Sequence, residues 1–342
     1  MRRNLKKVHL SILIVLAITF SIFVVKDLQI PSTSFPAFFL EKYDTKFKNF
    51  NLTYSYISEP NEICTNVTKV LIIVLSMDSK VEQRRAIRET YANRSFSKSV
   101  DDGLVSVKFL LSKPRDKYLT SLSNEAEEFD DLIVTNLPES YENLNLKVYS
   151  LLNYHQVKCP NVDFVMKIDD DVALFVDRLM FFIEQEKRLH FNVNSLSCFA
   201  WTKALPKRRK EDKWYISFDD YPAKFFPTYC DGPVYLIGKN AVKKMMSEAP
   251  NHKIFIWEDV FFTGILTQAQ RISVLDWKKH IMRDPDFLDK GQTTCYSGSV
   301  GDTFAAYPLG SAQALTSAVH TLKSLKCVKH EAKRKAEKRD IL

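Results

Sequence analysis

Three consecutive aspartates separate two apolar runs in VMKIDDDVALFV, residues 165–176. That much like charge limits where the stretch can lie. Two carboxylates about 5 Å apart repel by roughly 3 kcal/mol at an effective dielectric near 20, so the triplet must be solvated, protonated or met by a cation. FVMKI (164–168) before it has the length and composition of a buried strand, and VALFV after it is just as apolar. An acidic turn at a strand end and a site for a hard divalent ion, which takes carboxylate oxygens, both satisfy the constraint on these residues alone. If the backbone stays extended, Asp169 and Asp171 share one side and Asp170 faces the other.

The triplet has a regular setting. The apolar runs KVLIIVLS (69–76), VSVKFLLS (105–112) and DLIVTNL (131–137) alternate with helix-like stretches, VEQRRAIRETYA (81–92) and LNLKVYSLLNYHQV (144–157). Strands alternating with helices predict βαβ units and an α/β fold with a mostly parallel sheet. In such sheets ligands bind outside the carboxyl ends of the strands, which is where the triplet falls. The chain has only eight glycines and contains neither GxGxxG nor GxxxxGK[ST]. A nucleotide diphosphate bound here needs something other than a glycine nest to neutralise it, and a cation held by aspartates does so.

Three further stretches carry candidate chemistry. In IFIWEDVFFTGIL (254–266), Glu258 and Asp259 stand where a helix is expected to start. Acids there suit the helix dipole, or serve as a general base for a hydroxyl nucleophile. Arg84, Arg85 and Arg88 lie on one short helix. They form either a solvated face with Glu82 and Glu89 or a cationic patch beside a diphosphate. FFPTYCDGPVYLIG (225–238) holds Tyr229, Asp231 and Gly232, as core or as a platform for a sugar ring. KALPKRRKEDK (203–213) reads as a mobile loop.

The net charge of +8 is concentrated at the ends: residues 1–7 carry +4 and residues 321–342 carry +5, which leaves −1 between them. A nucleic-acid binder carries its basic footprint on the folded domain, so no nucleic-acid partner is expected. After the basic residues 1–7 comes an 18-residue span, 8–25, without Asp, Glu, Lys or Arg. Its length approaches a bilayer core, and the preceding positive charge keeps the N-terminus cytosolic. A cleaved signal peptide has a shorter apolar region and a small-x-small cleavage site, which Lys26-Asp27-Leu28 is not. The expectation is a single-pass type II signal anchor with a lumenal body. Sequons at Asn51, Asn66 and Asn93 and an even count of six cysteines accord with it. Six cysteines allow 15 pairings, and no CxxC is present to suggest zinc. The expected organisation is a tail (1–7), an anchor (8–25), a stem (26–65), a catalytic body (66–322) and a basic C-terminal tail (323–342).

Taken in order, RRAIRETY, DLIVTNLPESYENLNLKVYSLLNYHQVKCP, VMKIDDDV, KWYISFDDYP with FFPTYCDGPVYLI, and EDVFFTG resemble the family 31 glycosyltransferases, the β-1,3-galactosyl- and N-acetylglucosaminyltransferases of the Golgi. The match covers roughly residues 69–270. It implies a GT-A-type, Rossmann-like fold, a UDP-sugar donor, manganese, and a glycan acceptor on a glycoprotein or glycolipid, in a Golgi membrane protein. Through it Asp169, Asp170 and Asp171 correspond to the DxD-type motif, with Asp171 the chief metal ligand and Asp169 and Asp170 near metal or ribose. Glu258 and Asp259 correspond to the family's acidic pair, with Asp259 the base of an inverting transfer. A C-terminal histidine completes the metal shell in related enzymes; His320 fits that setting better than His280. The chain departs from the pattern at Tyr91, where Trp is frequent, at Asp177, where Asn is, and at Pro233. Two other readings stand beside this one: a catalytically silent sugar-binding or scaffolding relative, and a lumenal metal-dependent hydrolase of UDP-sugars.

Overall fold

The computed structural model describes residues 40–186, 192–285, 292–297 and 300–328. The central sheet has eight strands: β1 Tyr56–Ser58, β2 Val70–Leu75, β3 Val105–Leu111, β4 Leu132–Thr135, β5 Phe164–Asp169, β6 Ser195–Trp201, β7 Tyr229–Gly238 and β8 Ser273–Asp276. They lie in the order β8-β6-β7-β5-β2-β3-β4-β1. The longer helices are α1 Val81–Glu89, α2 Leu119–Phe129, α3 Leu144–Lys158, α4 Val176–Glu186, α5 Lys239–Glu248 and α6 Ala312–Ser324.

The four apolar runs become β2 to β5, and the two helical stretches become α1 and α3. β4, β3, β2 and β5 pair in parallel. β7 inserts antiparallel between β5 and β6, β8 runs parallel to β6, and β1 closes the far edge antiparallel. The sheet is thus parallel through its middle and mixed outside it. All six residues of β2 are buried, as expected of a strand covered on both faces. Parallel pairing of Leu75 with Asp169 puts the end of β2 beside the triplet.

Helix α3 is buried over most of its surface, and its polar residues are spent on anchoring. Asn145 Nδ2 donates to the carbonyls of Phe255 (2.7 Å) and Ile256 (3.2 Å), just ahead of Glu258. Lys147 Nζ donates to the carbonyl of Ser76 at the end of β2 and to Glu139, both at 2.7 Å. One helix therefore anchors both the segment before Glu258 and the end of β2 beside the triplet.

Several expected boundaries move. The stem expected over 26–65 ends earlier: Tyr43–Phe47 and Phe50–Tyr54 form a hairpin, β1 joins the sheet, and Phe47, Tyr54 and Tyr56 are core residues. Their aromatic side chains gain more by burial than a solvated spacer allows. The C-terminal tail expected from 323 begins as the end of α6 and then a strand, Lys326–Val328, beside Gln292–Ser297. The loop around 203–213 is fastened rather than free. Arg208 donates to the carbonyls of Ile216, Ser217, Tyr221 and Ala223 at 2.6–3.2 Å. The basic tail (1–7), the apolar span (8–25) and the basic stretch 329–342 lie outside the described residues. Among the described residues no helix is long and apolar enough to cross a membrane. Asn51 and Asn66 are exposed, and Asn93 is partly exposed, its Oδ1 accepting from Ser95.

Among the described residues two disulfides staple this body, Cys64–Cys159 and Cys198–Cys230. The first closes a separation of 95 residues and ties the segment leading into β2 to the end of α3. Constraining a loop of that length is worth roughly 2–5 kcal/mol. The double variant Cys64→Ser/Cys159→Ser is therefore expected to lose about that much unfolding free energy in urea denaturation.

Candidate active site

Lys167 and Asp169 lie two apart on β5, and so on one face of the sheet. The Lys167 side chain is 1 % exposed, and its ammonium lies 2.6 Å from Asp169 Oδ1, 2.6 Å from the Gly232 carbonyl and 3.5 Å from Glu258 Oε1. Tyr235, opposite Lys167 on β7, donates its hydroxyl to Glu258 Oε2 at 2.9 Å. One buried cation thus joins the triplet to the acidic pair 89 positions later. Burial alone disfavours the lysine's charge, but Asp169 and Glu258 outweigh it and hold its titration above the usual range.

The triplet does not stay extended. The Val172 N–H donates to the Asp169 carbonyl at 3.3 Å, and the turn sends the three carboxylates into three surroundings. Asp169 meets Lys167. Asp170 accepts from Ser76 Oγ at 2.8 Å, and that serine also receives Arg84 Nη1 at 3.1 Å. Asp171 keeps one buried oxygen, Oδ1, without a hydrogen bond. Burial, then Asp169 and Asp170, push its carboxyl up to about 6. Burial likewise raises Asp170, against the pull of Ser76. The fully buried Tyr91 faces this cluster: its hydroxyl also has no partner, and after burial itself Asp170 and Asp171 are what raise its titration. Asp177 does local work, accepting from Ser97 Oγ and the N–H groups of Lys98 and Ser99.

Glu258 and Asp259 precede a π-helical stretch, Val260–Leu266, which begins with the Val260 N–H donating to Asp259 Oδ1 at 2.7 Å. Gly264 lets that stretch approach the strand: a Cβ there would lie 3.0 Å from Tyr229 Cβ and 3.1 Å from Pro227 Cγ. Gly232 faces the acidic pair, with the position of a Cβ 3.4 Å from Asp259 Oδ2 and 3.7 Å from Glu258 Oε1. Glu258 is 5 % exposed, and burial pushes it up to about 7 despite Lys167. Burial pushes Asp259 up to about 6, against the Val260 N–H and Lys167. A carboxylate poised near neutrality is suited to proton transfer.

Asp231 is fully engaged. It accepts from Trp201 Nε1 at 3.0 Å and from the Tyr307 hydroxyl at 2.7 Å, and it pairs with Arg283 at 2.7 Å. It therefore braces the loop. Tyr229 lies within the fields of Asp259 and Asp231, which raise its titration further after burial has done so. The C-terminal segment closes this side: besides Tyr307, Leu309 N–H donates to the Asp171 carbonyl at 2.9 Å.

The three arginines do not form one patch. Arg84 is wholly buried in a two-point pair with Glu125 (2.6 and 2.7 Å) and reaches the triplet only through Ser76. Arg88 pairs with Asp131 and Glu125, while Arg85 is exposed beside Glu82. At 100° per residue, the face of α1 bearing Arg84 and Arg88 meets acidic partners on α2 and ahead of β4, and Arg85 points away. His320 is exposed and edge-on to Phe96 at 5.2 Å. His280 is buried against Phe182 and Phe304, with Nδ1 on the Asp302 carbonyl at 2.8 Å. Among the described residues no group of three His, Cys, Asp or Glu gathers as a metal cage, so His320 does not join Asp169 and Asp171.

The sequence reading assigned no role to Lys167, Ser76, Lys147, Tyr235, Tyr307 or Arg283. Lys167 left a signal: a lone lysine inside an apolar strand, in phase with the first aspartate. Cutting it back to an apolar side chain strands Asp169 and Glu258. Breaking a buried pair in this way costs about 3–5 kcal/mol, so Lys167→Met is expected to lose roughly that much stability in urea denaturation, and less at pH 5, where Glu258 is protonated.

Comparison with known proteins places this geometry. A family model described as Galactosyltransferase matches residues 82–278, more than half of the chain. The matched region contains the triplet, Lys167, the Asp231 loop and the acidic pair. Beta-1,3-galactosyltransferase bre-2 of Caenorhabditis elegans is 30% identical over 227 residues, 64% of this chain and 62% of that protein. Lactosylceramide 1,3-N-acetyl-beta-D-glucosaminyltransferase A of Xenopus laevis is 26% identical over 62% of this chain and 58% of its own length. Human Beta-1,3-galactosyltransferase 2 is 26% identical over 64% and 52% respectively. The chain thus spans between half and two thirds of the length of these relatives. On the family match and the residues inside it, this chain belongs to the Galactosyltransferase family.

Proposed function

We propose that the protein is an inverting glycosyltransferase of GT-A type that moves a hexose, galactose or an N-acetylhexosamine, from a UDP-sugar to a hydroxyl of a glycan, forming a β-1,3 linkage. The observation that carries this reading is the buried Lys167 bridge. It joins Asp169 of the triplet to Glu258 of the acid pair at one sheet edge. Membership of the family and the names of its relatives support a sugar-transfer reaction. Lumenal placement in the Golgi by a type II anchor at 8–25 belongs to the same proposal.

In this reading Asp259 is the base. It is more open than Glu258 and has Oδ2 toward Gly232. It takes the proton from the acceptor hydroxyl as that oxygen bonds to the anomeric carbon. The bond from that carbon to the UDP oxygen breaks on the opposite face, its electrons leaving with the diphosphate, and the configuration inverts. Glu258, held by Tyr235 and Lys167, positions the neighbouring base and keeps water from its rear. Manganese fits the other carboxylates: Asp171 has an orphaned buried oxygen and an elevated titration, and Asp169 and Asp170 beside it offer further hard oxygen donors. Asp171 and Asp169 are the residues to hold it. The chemistry such an ion supplies when bound is stabilisation of charge on the departing UDP. Arg84 contributes indirectly, by fixing Ser76 and through it Asp170.

The test is a screen of UDP-galactose, UDP-N-acetylglucosamine and UDP-N-acetylgalactosamine against simple glycoside acceptors, with manganese present. Transfer should require the acceptor, which a hydrolase would not. Asp259→Asn should lower kcat by about 10²–10⁴-fold, the usual contribution of a general base, while UDP affinity stays near wild type. Asp259 works only when deprotonated, so wild-type kcat should rise as pH increases through about 6 and level above it. Retention of acceptor-dependent transfer by Asp259→Asn contradicts the assignment.

A further inference from the structure

We infer that Trp214 and Tyr141 form the acceptor platform, stacking on the apolar face of a neutral pyranose so that its hydroxyl is presented to Asp259. This deepens the transferase reading and rests on it. The two side chains come from different parts of the chain, Tyr141 from the turn before α3 and Trp214 from the loop between β6 and β7. Each is 52% exposed. They nevertheless adjoin: the Lys213 ammonium lies 5.3 Å from both ring centroids. Tyr141 also leans on Trp257, the residue before Glu258, with centroids 6.2 Å apart.

Their position relative to the chemistry is set by Trp257, two residues before Asp259, against which Tyr141 packs. After burial, the carboxylates that raise the Tyr141 phenol are Asp259, Glu258 and Asp169, in that order. The pair therefore lies beside the segment that carries the base. That placement favours an acceptor sugar over the uracil of the donor as the stacked ring.

The platform is also built to stay in place. Trp214 sits in the loop that Arg208 ties through four carbonyls, with its guanidinium 4.1 Å over Phe218. Exposed aromatics held side by side bind ligands at low entropic cost. A pyranose offers a matching surface: axial C–H groups on one face and hydroxyls around the edge. Lys213 stands where it can donate to those hydroxyls, and its positive charge gives no preference for a cationic acceptor.

The experiment compares wild type with Trp214→Ala and Trp214→Phe, using UDP-galactose and the methyl β-glycosides of galactose, N-acetylglucosamine and N-acetylgalactosamine. In Trp214→Ala the acceptor KM should rise about tenfold, the scale of one lost ring contact, with kcat changed far less and UDP affinity by titration unchanged. Trp214→Phe should recover most of the loss, because the contact needs a ring and not the indole N–H. Quenching of tryptophan fluorescence by the preferred glycoside, which needs no turnover, should weaken in both variants. An acceptor KM within twofold of wild type in Trp214→Ala overturns the platform while leaving the transferase reading intact. Weakened UDP binding in that variant also overturns it, by showing that the ring stacks on the nucleobase. If no UDP-sugar turns over in wild type yet glycosides quench Trp214, the transferase reading falls and with it the presentation of a hydroxyl to Asp259.

Discussion

A single buried ammonium organises this molecule. Moving an ion of that size out of water costs several kcal/mol even after relaxation, and Lys167 bears that cost in the middle of the central sheet. It is offset only because Asp169, Glu258 and the Gly232 carbonyl converge on one nitrogen. Each comes from a different element: the end of β5, the approach to the π-helical stretch, and β7. If the strands were displaced by one residue, Lys167 would point to the other face. The charge network therefore demands the register that the apolar strands supply.

The same balance explains why the site is electrostatically incomplete. One lysine cannot neutralise Asp169, Asp170, Asp171, Glu258 and Asp259. Asp170 is partly satisfied through Ser76 and Arg84. Glu258, Asp259 and Asp171 instead titrate near neutrality because burial disfavours their charged forms. A shell of carboxylates kept close to protonation has two uses, accepting a proton and accepting a cation. The fold separates them along Lys167, with the acid pair on the β7 side and the triplet on the β2 side. Arg84–Glu125 and Arg88–Asp131 form a second buried network that holds α1 and α2 to the sheet and takes no direct part in the site.

The middle of the sheet was legible because its strands are continuous apolar runs and the intervening helices repeat at helical spacing. The acidic pair and the triplet stood out for the opposite reason, as charge where burial was expected. What escaped depended on contacts between distant segments. The Tyr43–Tyr54 hairpin reads as a mixed, polar spacer until Phe47, Tyr54 and Tyr56 find the core. The α1 arginines read as one cationic cluster until Glu125 and Asp131, some 40 residues away, claim two of them. Extended alternation of the three aspartates failed because a turn begins at Asp169. Local spacing does not reveal such a turn, nor the burial of His280 or the outward position of His320.

The central claim is that this partly neutralised carboxylate cluster is completed by a divalent ion carrying a nucleotide diphosphate. The most direct measurement is calorimetric titration of UDP into the purified full-length protein with and without manganese, before any acceptor is considered. The account predicts that manganese strengthens UDP binding by at least tenfold in wild type and not in Asp171→Asn. Equal UDP affinity with and without the metal, or an Asp171→Asn variant that keeps the full manganese effect, would contradict it.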